Sequence, residues 1–269
     1  MPSKYSKFKK ALRILTFSLV GIYVISATTL YFYQDKLIFK GWKLDKDFQC
    51  QIGTEIKISG EDGNQLSCLY VNQKNPKGII IYFHGNRGNL KRCTYQAQQF
   101  LVPNYDLIMP DYRGYGNSEG EIESQDQLFN DAQAIYDYVK NKFDEKDITL
   151  VGYSLGTGVV SYLAENNNPS ALYLVAPYKS LIDVKDDLGI PVPDFLVKFP
   201  LETYKRIKNI NCPIYIFHSP SDQLLPYESS YEMYQQNKER IKFFTLNGDS
   251  HASTIFNNKI KQIFSANLN

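Results

Sequence analysis

Residues 14–33 run for 20 positions without a charge, fenced by Arg13 on one side and by Asp35 and Lys36 on the other. At 1.5 Å of rise per residue, a helix of that length just crosses the ~30 Å hydrocarbon layer of a bilayer. Thr16, Ser18, Ser26, Thr28 and Thr29 dilute the stretch, whereas Tyr23, Tyr31, Phe32 and Tyr33 suit a membrane interface. A cleaved secretory signal is the competing assignment. Against it, the apolar run exceeds the usual length of about 7–15 residues, and no clean Ala-x-Ala follows it. The pattern therefore predicts a retained transmembrane anchor over residues 14–33, leading into a single folded domain over residues 34–269.

Past the anchor, short apolar runs alternate with helical periodicity. Residues 54–59 and 66–71 flank Glu61-Asp62-Gly63-Asn64 and predict an antiparallel hairpin. Residues 79–83 (Ile-Ile-Ile-Tyr-Phe) are continuously apolar, as a strand buried on both faces requires. Further strands are predicted at 106–109, 148–151, 171–175, 213–217 and 241–246. Helices are predicted at 89–101, 124–142, 157–166 and 227–237, with a closing helix over 253–264. In the second of these, Leu128, Ala132, Ile135, Tyr136 and Val139 recur at helical spacing. Such alternation predicts an α/β domain, a mostly parallel sheet covered by helices on both faces. Residues 178–208, rich in Pro and apolar side chains such as Leu181, Leu188, Ile190 and Phe195, break the rhythm. They predict a small cap inserted over the carboxyl edge of the sheet.

Composition narrows the class. With 43% hydrophobic and 22% charged residues, the 269-residue chain is neither disordered, collagen-like nor multi-spanning. The net charge is +2, but Lys4, Lys7, Lys9, Lys10 and Arg13 crowd residues 1–13 and leave the remainder slightly acidic. That balance argues against nucleic acid as a partner. By the positive-inside rule it keeps residues 1–13 in the cytoplasm and sends the domain to the other side of the membrane. Cys50, Cys68, Cys93 and Cys212 form no C-x-x-C and no zinc-like spacing with histidine. They read as scattered thiols, and no metal is expected.

The chemistry centres on Gly152-Tyr153-Ser154-Leu155-Gly156, a G-x-S-x-G placed directly after an apolar strand and opening a helix. A serine in so sharp a turn needs small flanking residues, and its hydroxyl then stands clear at the sheet edge with the Leu155 N–H beside it. Serine is a poor nucleophile without a base, and only His84, His218 and His251 are available. In the chain order Ser…Asp/Glu…His, His84 comes too early and His218 ends an apolar strand. His251, in the loop after the last strand, is the expected base. The loop after the preceding strand supplies Asp222 to hold the imidazole, with Asp249 and Asp183 as rivals. His84-Gly85-Asn86 follows the strand at 79–83, where the second oxyanion donor belongs, and the Asn86 backbone N–H is the candidate. His84 itself is expected to be structural. In Asp111-Tyr-Arg-Gly-Tyr-Gly-Asn-Ser-Glu-Gly120 there is no Lys-Ser/Thr for a phosphate loop. Asp111 and Arg113 are expected to pair and fix that loop near the pocket.

Together these residues resemble the α/β-hydrolase superfamily of serine hydrolases, and most of all its membrane-anchored members. The likeness rests on the short anchor, His84-Gly-Asn, Asp111-Tyr-Arg-Gly-Tyr-Gly, Gly152-Tyr-Ser-Leu-Gly, a late Asp and a late His, and it covers residues 34–269. It implies the α/β-hydrolase fold, a triad of Ser154, Asp222 and His251, no cofactor, and an ester, thioester or amide substrate. The sequence departs from relatives in having His218-Ser-Pro-Ser-Asp222 where His-Gly-x-x-Asp is common. It also has Asp249-Ser250 where a glycine often stands just before the His. The expected activity is hydrolysis of a carboxylic ester or thioester, of a lipid or an acylated protein, through an acyl-enzyme. The alternatives are a peptidase or amidase of the same fold, or a non-catalytic binding protein on this scaffold.

Overall fold

The structure, a computed structural model, describes residues 4–45 and 47–268, so residues 1–3 of the basic N-terminus lie outside the described residues. Helix α1 (Lys4–Ile38) has 35 residues and is ~52 Å long at 1.5 Å per residue. It overruns the apolar stretch at both ends because residues 4–13 and 34–38 contain no glycine or proline to stop it. From Tyr5 to Val20 every side chain is exposed. Only near the end does one face find a partner: Ala27, Leu30, Tyr31, Gln34, Asp35 and Ile38 are covered, at the three- and four-residue spacing of a single helix stripe. This is the one helix among the described residues long and apolar enough to cross a membrane.

Beyond α1 come β1 (Lys40–Gly41), β2 (Thr54–Ser59), β3 (Gln65–Val71), β4 (Gly78–Phe83), β5 (Arg87–Gly88), α2 (Leu90–Ala97), β6 (Tyr105–Pro110) and α3 (Gln125–Lys140). Then follow β7 (Ile148–Tyr153), α4 (Leu155–Asn166), β8 (Ala171–Val175), α5 (Leu181–Asp187), α6 (Thr203–Arg206), β9 (Ile214–His218), α7 (Tyr227–Gln235), β10 (Ile241–Thr245), α8 (His251–Thr254) and α9 (Asn258–Leu268). Eight strands form one sheet in the order β10-β9-β8-β7-β4-β6-β3-β2. It is parallel from β10 to β6, with β3 antiparallel to both of its neighbours. Side chains alternate across β4: Ile79, Ile81 and Phe83 join the core on one face, and Ile80 and Tyr82 the core on the other. From β4 the chain crosses to β6 on one side and then returns past it to β7. The carboxyl ends of β4 and β7 therefore meet at a topological switch point, where open α/β sheets bind ligands.

Two local expectations are corrected. The closing helix is split into α8 and α9, because Asn257 donates to Asp249 Oδ2 at 2.5 Å and its own Oδ1 accepts the Lys259 N–H at 2.9 Å, capping α9. Arg113 does not pair with Asp111. Its guanidinium forks onto two other carboxylates, bonding Asp131 at 2.5 and 2.7 Å and Asp62 at 2.6 and 2.7 Å. Asp62 sits in the β2–β3 turn and Asp131 on α3, so the arginine ties the sheet edge to a covering helix. Asp111 instead accepts the Leu90 N–H at 3.0 Å and fixes the start of α2.

Candidate active site

Ser154 sits between β7 and α4 with φ 51° and ψ −118°, a region L residues occupy only when the surroundings hold them there. The reason the turn needs glycines is close approach. A Cβ on Gly156 would lie 2.1 Å from the Phe83 carbonyl oxygen, and one on Gly152 2.5 Å from Val160. The Ser154 N–H is held by the Val175 carbonyl at 2.9 Å. Leu155 opens α4, so its N–H has no carbonyl one turn earlier to bond.

The three residues expected to act together are brought together. Ser154 Oγ lies 2.9 Å from His251 Nε2, and His251 Nδ1 lies 2.7 Å from Asp222 Oδ2. A carboxylate only accepts, so Nδ1 carries the proton and Nε2 is free to accept from the serine hydroxyl. Tyr153, the residue before the serine, stacks on the imidazole with ring centroids 5.5 Å apart. Its hydroxyl donates to the His251 carbonyl at 2.8 Å. The serine turn thus holds the histidine loop directly.

Asp222 has a fully buried side chain and four donors. Besides His251, His218 Nε2 lies 3.2 Å from Oδ2, and Oδ1 accepts the Leu224 and Leu225 N–H groups at 2.9 and 3.0 Å. Burial alone would raise the carboxyl's pKa. The hydrogen bonds from His218, His251 and the Leu225 N–H outweigh it and hold the group well below the ordinary carboxylate range. His218 is the participant that strand-end placement led sequence reasoning to set aside. Its Nδ1 meets Ser230 Oγ at 2.7 Å, which orients the ring towards Asp222. The signal was present in its spacing, four residues before Asp222.

The rivals are engaged elsewhere: Asp249 with Asn257, and Asp183 with Ser180 in the cap of α5. His84 is fully buried, with Nδ1 2.7 Å from the Gly85 carbonyl oxygen. Asn86 is held from three sides. Its side chain donates to the Ile38 carbonyl at 3.0 Å, while its own carbonyl accepts the Lys40 N–H at 2.9 Å and the Tyr115 hydroxyl at 2.7 Å. The four cysteines are free thiols.

Ser154, Leu155 and Asn86 open onto a cavity of about 310 Å³ whose walls are mainly apolar. Leu181, Val184, Ile190 and Val192 come from the 178–208 insertion, and Leu30, Leu37 and Ile38 from α1. Among the described residues no carboxylate lines it and no cluster of potential metal ligands occurs.

The family model described as serine aminopeptidase, S33, matches residues 74–199. A putative α/β hydrolase, L404, of Acanthamoeba polyphaga mimivirus is 32% identical over 178 residues, covering 62% of this chain and 65% of that one. The lysophosphatidylserine lipase ABHD12 of Danio rerio is 27% identical over 178 residues, 58% of this chain but only 46% of the lipase. Among solved structures, the Pyrococcus furiosus esterase Pf2001 superposes with a TM-score of 0.67 at 17% identity, over 86% of this chain and 97% of that one. The chain has the α/β-hydrolase fold, and its likenesses in sequence are to serine hydrolases and α/β hydrolases.

Proposed function

We propose that the chain hydrolyses a carboxylic ester or thioester bearing an apolar acyl group, with Ser154, His251 and Asp222 as its triad. Ser154 Oγ attacks the carbonyl carbon as His251 Nε2 takes the hydroxyl proton. The Asn86 and Leu155 N–H groups stabilise the oxyanion. His251 then protonates the departing alcohol or thiol, leaving an acyl-serine, and a water activated by the same imidazole releases the acid. Asp222 holds the Nδ1–H tautomer and stabilises the imidazolium. The observation that carries the reading is a serine hydroxyl 2.9 Å from an imidazole nitrogen on the floor of an apolar cavity. An aminopeptidase reading is disfavoured by the same cavity, whose lining among the described residues offers no carboxylate to receive a peptide's ammonium terminus.

Fluorophosphonate labelling of the wild type and of Ser154→Ala tests this. Label should attach to the wild type and not to the variant, and p-nitrophenyl esters should be cleaved only by the former, with both proteins folded by circular dichroism. Cleavage at the wild-type rate by Ser154→Ala would overturn the assignment.

The same reading has α1 anchor the domain in a bilayer, with Lys7, Lys9, Lys10 and Arg13 keeping the N-terminus cytoplasmic and the hydrolase domain on the opposite side. Single cysteines placed at Ser6 and at Lys238 in a background without the native thiols report this by impermeant maleimide labelling of intact cells. Position 238 should label and position 6 should not; the reverse pattern refutes the orientation.

A further inference from the structure

Most of α1 stands free, yet its final turns are built into the catalytic cavity. Leu30, Gln34, Leu37 and Ile38 line the space that reaches Ser154. The contact is fixed: the buried Gln34 donates from Nε2 to the Leu196 carbonyl at 2.7 Å and accepts the Lys198 N–H through Oε1 at 2.9 Å. Both backbone groups belong to the insertion at 178–208. Phe39, just after the helix, packs its ring edge-on against Phe199 at 5.0 Å. The amide satisfied on both sides and the aromatic pair lock helix and insertion into one wall.

Leu30 lies inside the 20-residue charge-free stretch. The cavity wall therefore extends to the depth at which α1 is still apolar enough for hydrocarbon. Around the opening, Leu37, Leu188 and Leu224 line the cavity and are each more than half exposed, as is Phe195 at 84%, the residue before the Gln34 clamp. Apolar side chains left exposed beside an apolar cavity are unfavourable in water and favourable against lipid. About 310 Å³ is also at the small end of ligand cavities, room for one acyl chain beside Ser154.

We infer that the end of α1 is a wall of the acyl pocket, and that the pocket mouth lies on the bilayer, so that a single-chain acyl ester enters sideways from the leaflet. The inference rests on the hydrolase reading above and goes beyond it: the helix selects and delivers the substrate as well as tethering the enzyme.

The test uses the full chain in phosphatidylcholine nanodiscs. Leu30→Trp fills the cavity from the helix side, Leu30→Met keeps its volume, and Ile25→Trp places the same bulk on the exposed face of the helix. The substrates are p-nitrophenyl acetate and 1-palmitoyl lysophosphatidylcholine. Leu30→Trp should lower the ratio of palmitoyl to acetate turnover at least tenfold. Ile25→Trp should match the wild type on both, and Leu30→Met should keep the wild-type ratio of palmitoyl to acetate turnover. Wild-type palmitoyl turnover should follow the mole fraction of ester in the bilayer at constant bulk concentration. Unchanged palmitoyl turnover in Leu30→Trp, equal loss on both esters, or a rate set by bulk concentration alone would each overturn the proposal. Failure of the hydrolase reading looks different: the wild type would then neither label nor cleave either ester.

Discussion

Replacing Asp222 by asparagine exchanges one carboxylate oxygen for an NH2 group at a site surrounded entirely by donors. Oδ2 faces His251 and His218, and Oδ1 faces the Leu224 and Leu225 N–H groups. The amide has no orientation that avoids conflict. With its NH2 towards the backbone, two N–H groups lose their acceptor and the imidazoles keep only a neutral oxygen. With its NH2 towards the imidazoles, His251 must accept at Nδ1, which moves its proton to Nε2, facing Ser154 Oγ only 2.9 Å away. In that tautomer it cannot take the serine proton. The expected loss in kcat is about 10⁴-fold, the size found when a triad aspartate is exchanged in this way, or ~5.5 kcal/mol at ~1.36 kcal/mol per factor of ten. Steady-state hydrolysis of a p-nitrophenyl ester, normalised to folded protein by circular dichroism, measures it. A variant within about tenfold of wild type would mean that Asp222 does not orient the base, and the relay as drawn would fall.

Two further outcomes follow from the charged groups. In Arg113→Ala the nearly buried Asp131 carboxylate loses its guanidinium partner. Unfolding in urea should become easier by about 3–5 kcal/mol, while activity persists wherever the protein stays folded; a shift under ~1 kcal/mol would show that the fork is dispensable. Asp222 has a folded-state pKa below its unfolded value of about 3.9. Its contribution to stability is therefore complete above that pH and is lost as the pH falls through the depressed value. The stability gap between wild type and Asp222→Asn should be flat above about pH 5 and close below about pH 4, and a gap that widened on acidification would contradict the sign.

The central parallel strands were legible where they are short, continuously apolar runs: residues 79–83 and 171–175 can be read off directly as buried strands, and the structure places β4 and β8 there. The residues gathered around Ser154 were legible for a related reason. Each sits just past a strand end, and strand ends in a parallel sheet converge on one edge. What stayed hidden depends on pairing across the fold. Asp111 and Arg113 are two positions apart, and nothing local reveals that Arg113 reaches Asp62, 51 positions away, and Asp131, 18 away. His218 looked like the end of a hydrophobic strand because its partners, Asp222 and Ser230, face it only once the following loop and α7 have turned back. The docking of α1 was invisible for a different reason: Gln34 reads as a polar boundary of an apolar segment, whereas its amide is the clamp on residues 196 and 198.

That clamp has a counterpart one turn further along the chain. The peptide proposed to present the Asn86 N–H is positioned by the Ile38 carbonyl, the Lys40 N–H and the Tyr115 hydroxyl. Two of these three belong to the end of α1 and the residue pair that follows it. Lys40 and Gly41 continue the attachment by pairing with Arg87 and Gly88 as a two-stranded parallel ladder, immediately after Asn86. An oxyanion donor displaced by an ångström loses much of its effect, because stabilisation depends on donors already aimed at the developing charge. The exit of α1 therefore fixes both the proposed acyl-pocket wall and the loop proposed to face the carbonyl oxygen. Helix and hydrolase domain meet as one structural unit, and the geometry at Ser154 depends on where the helix ends.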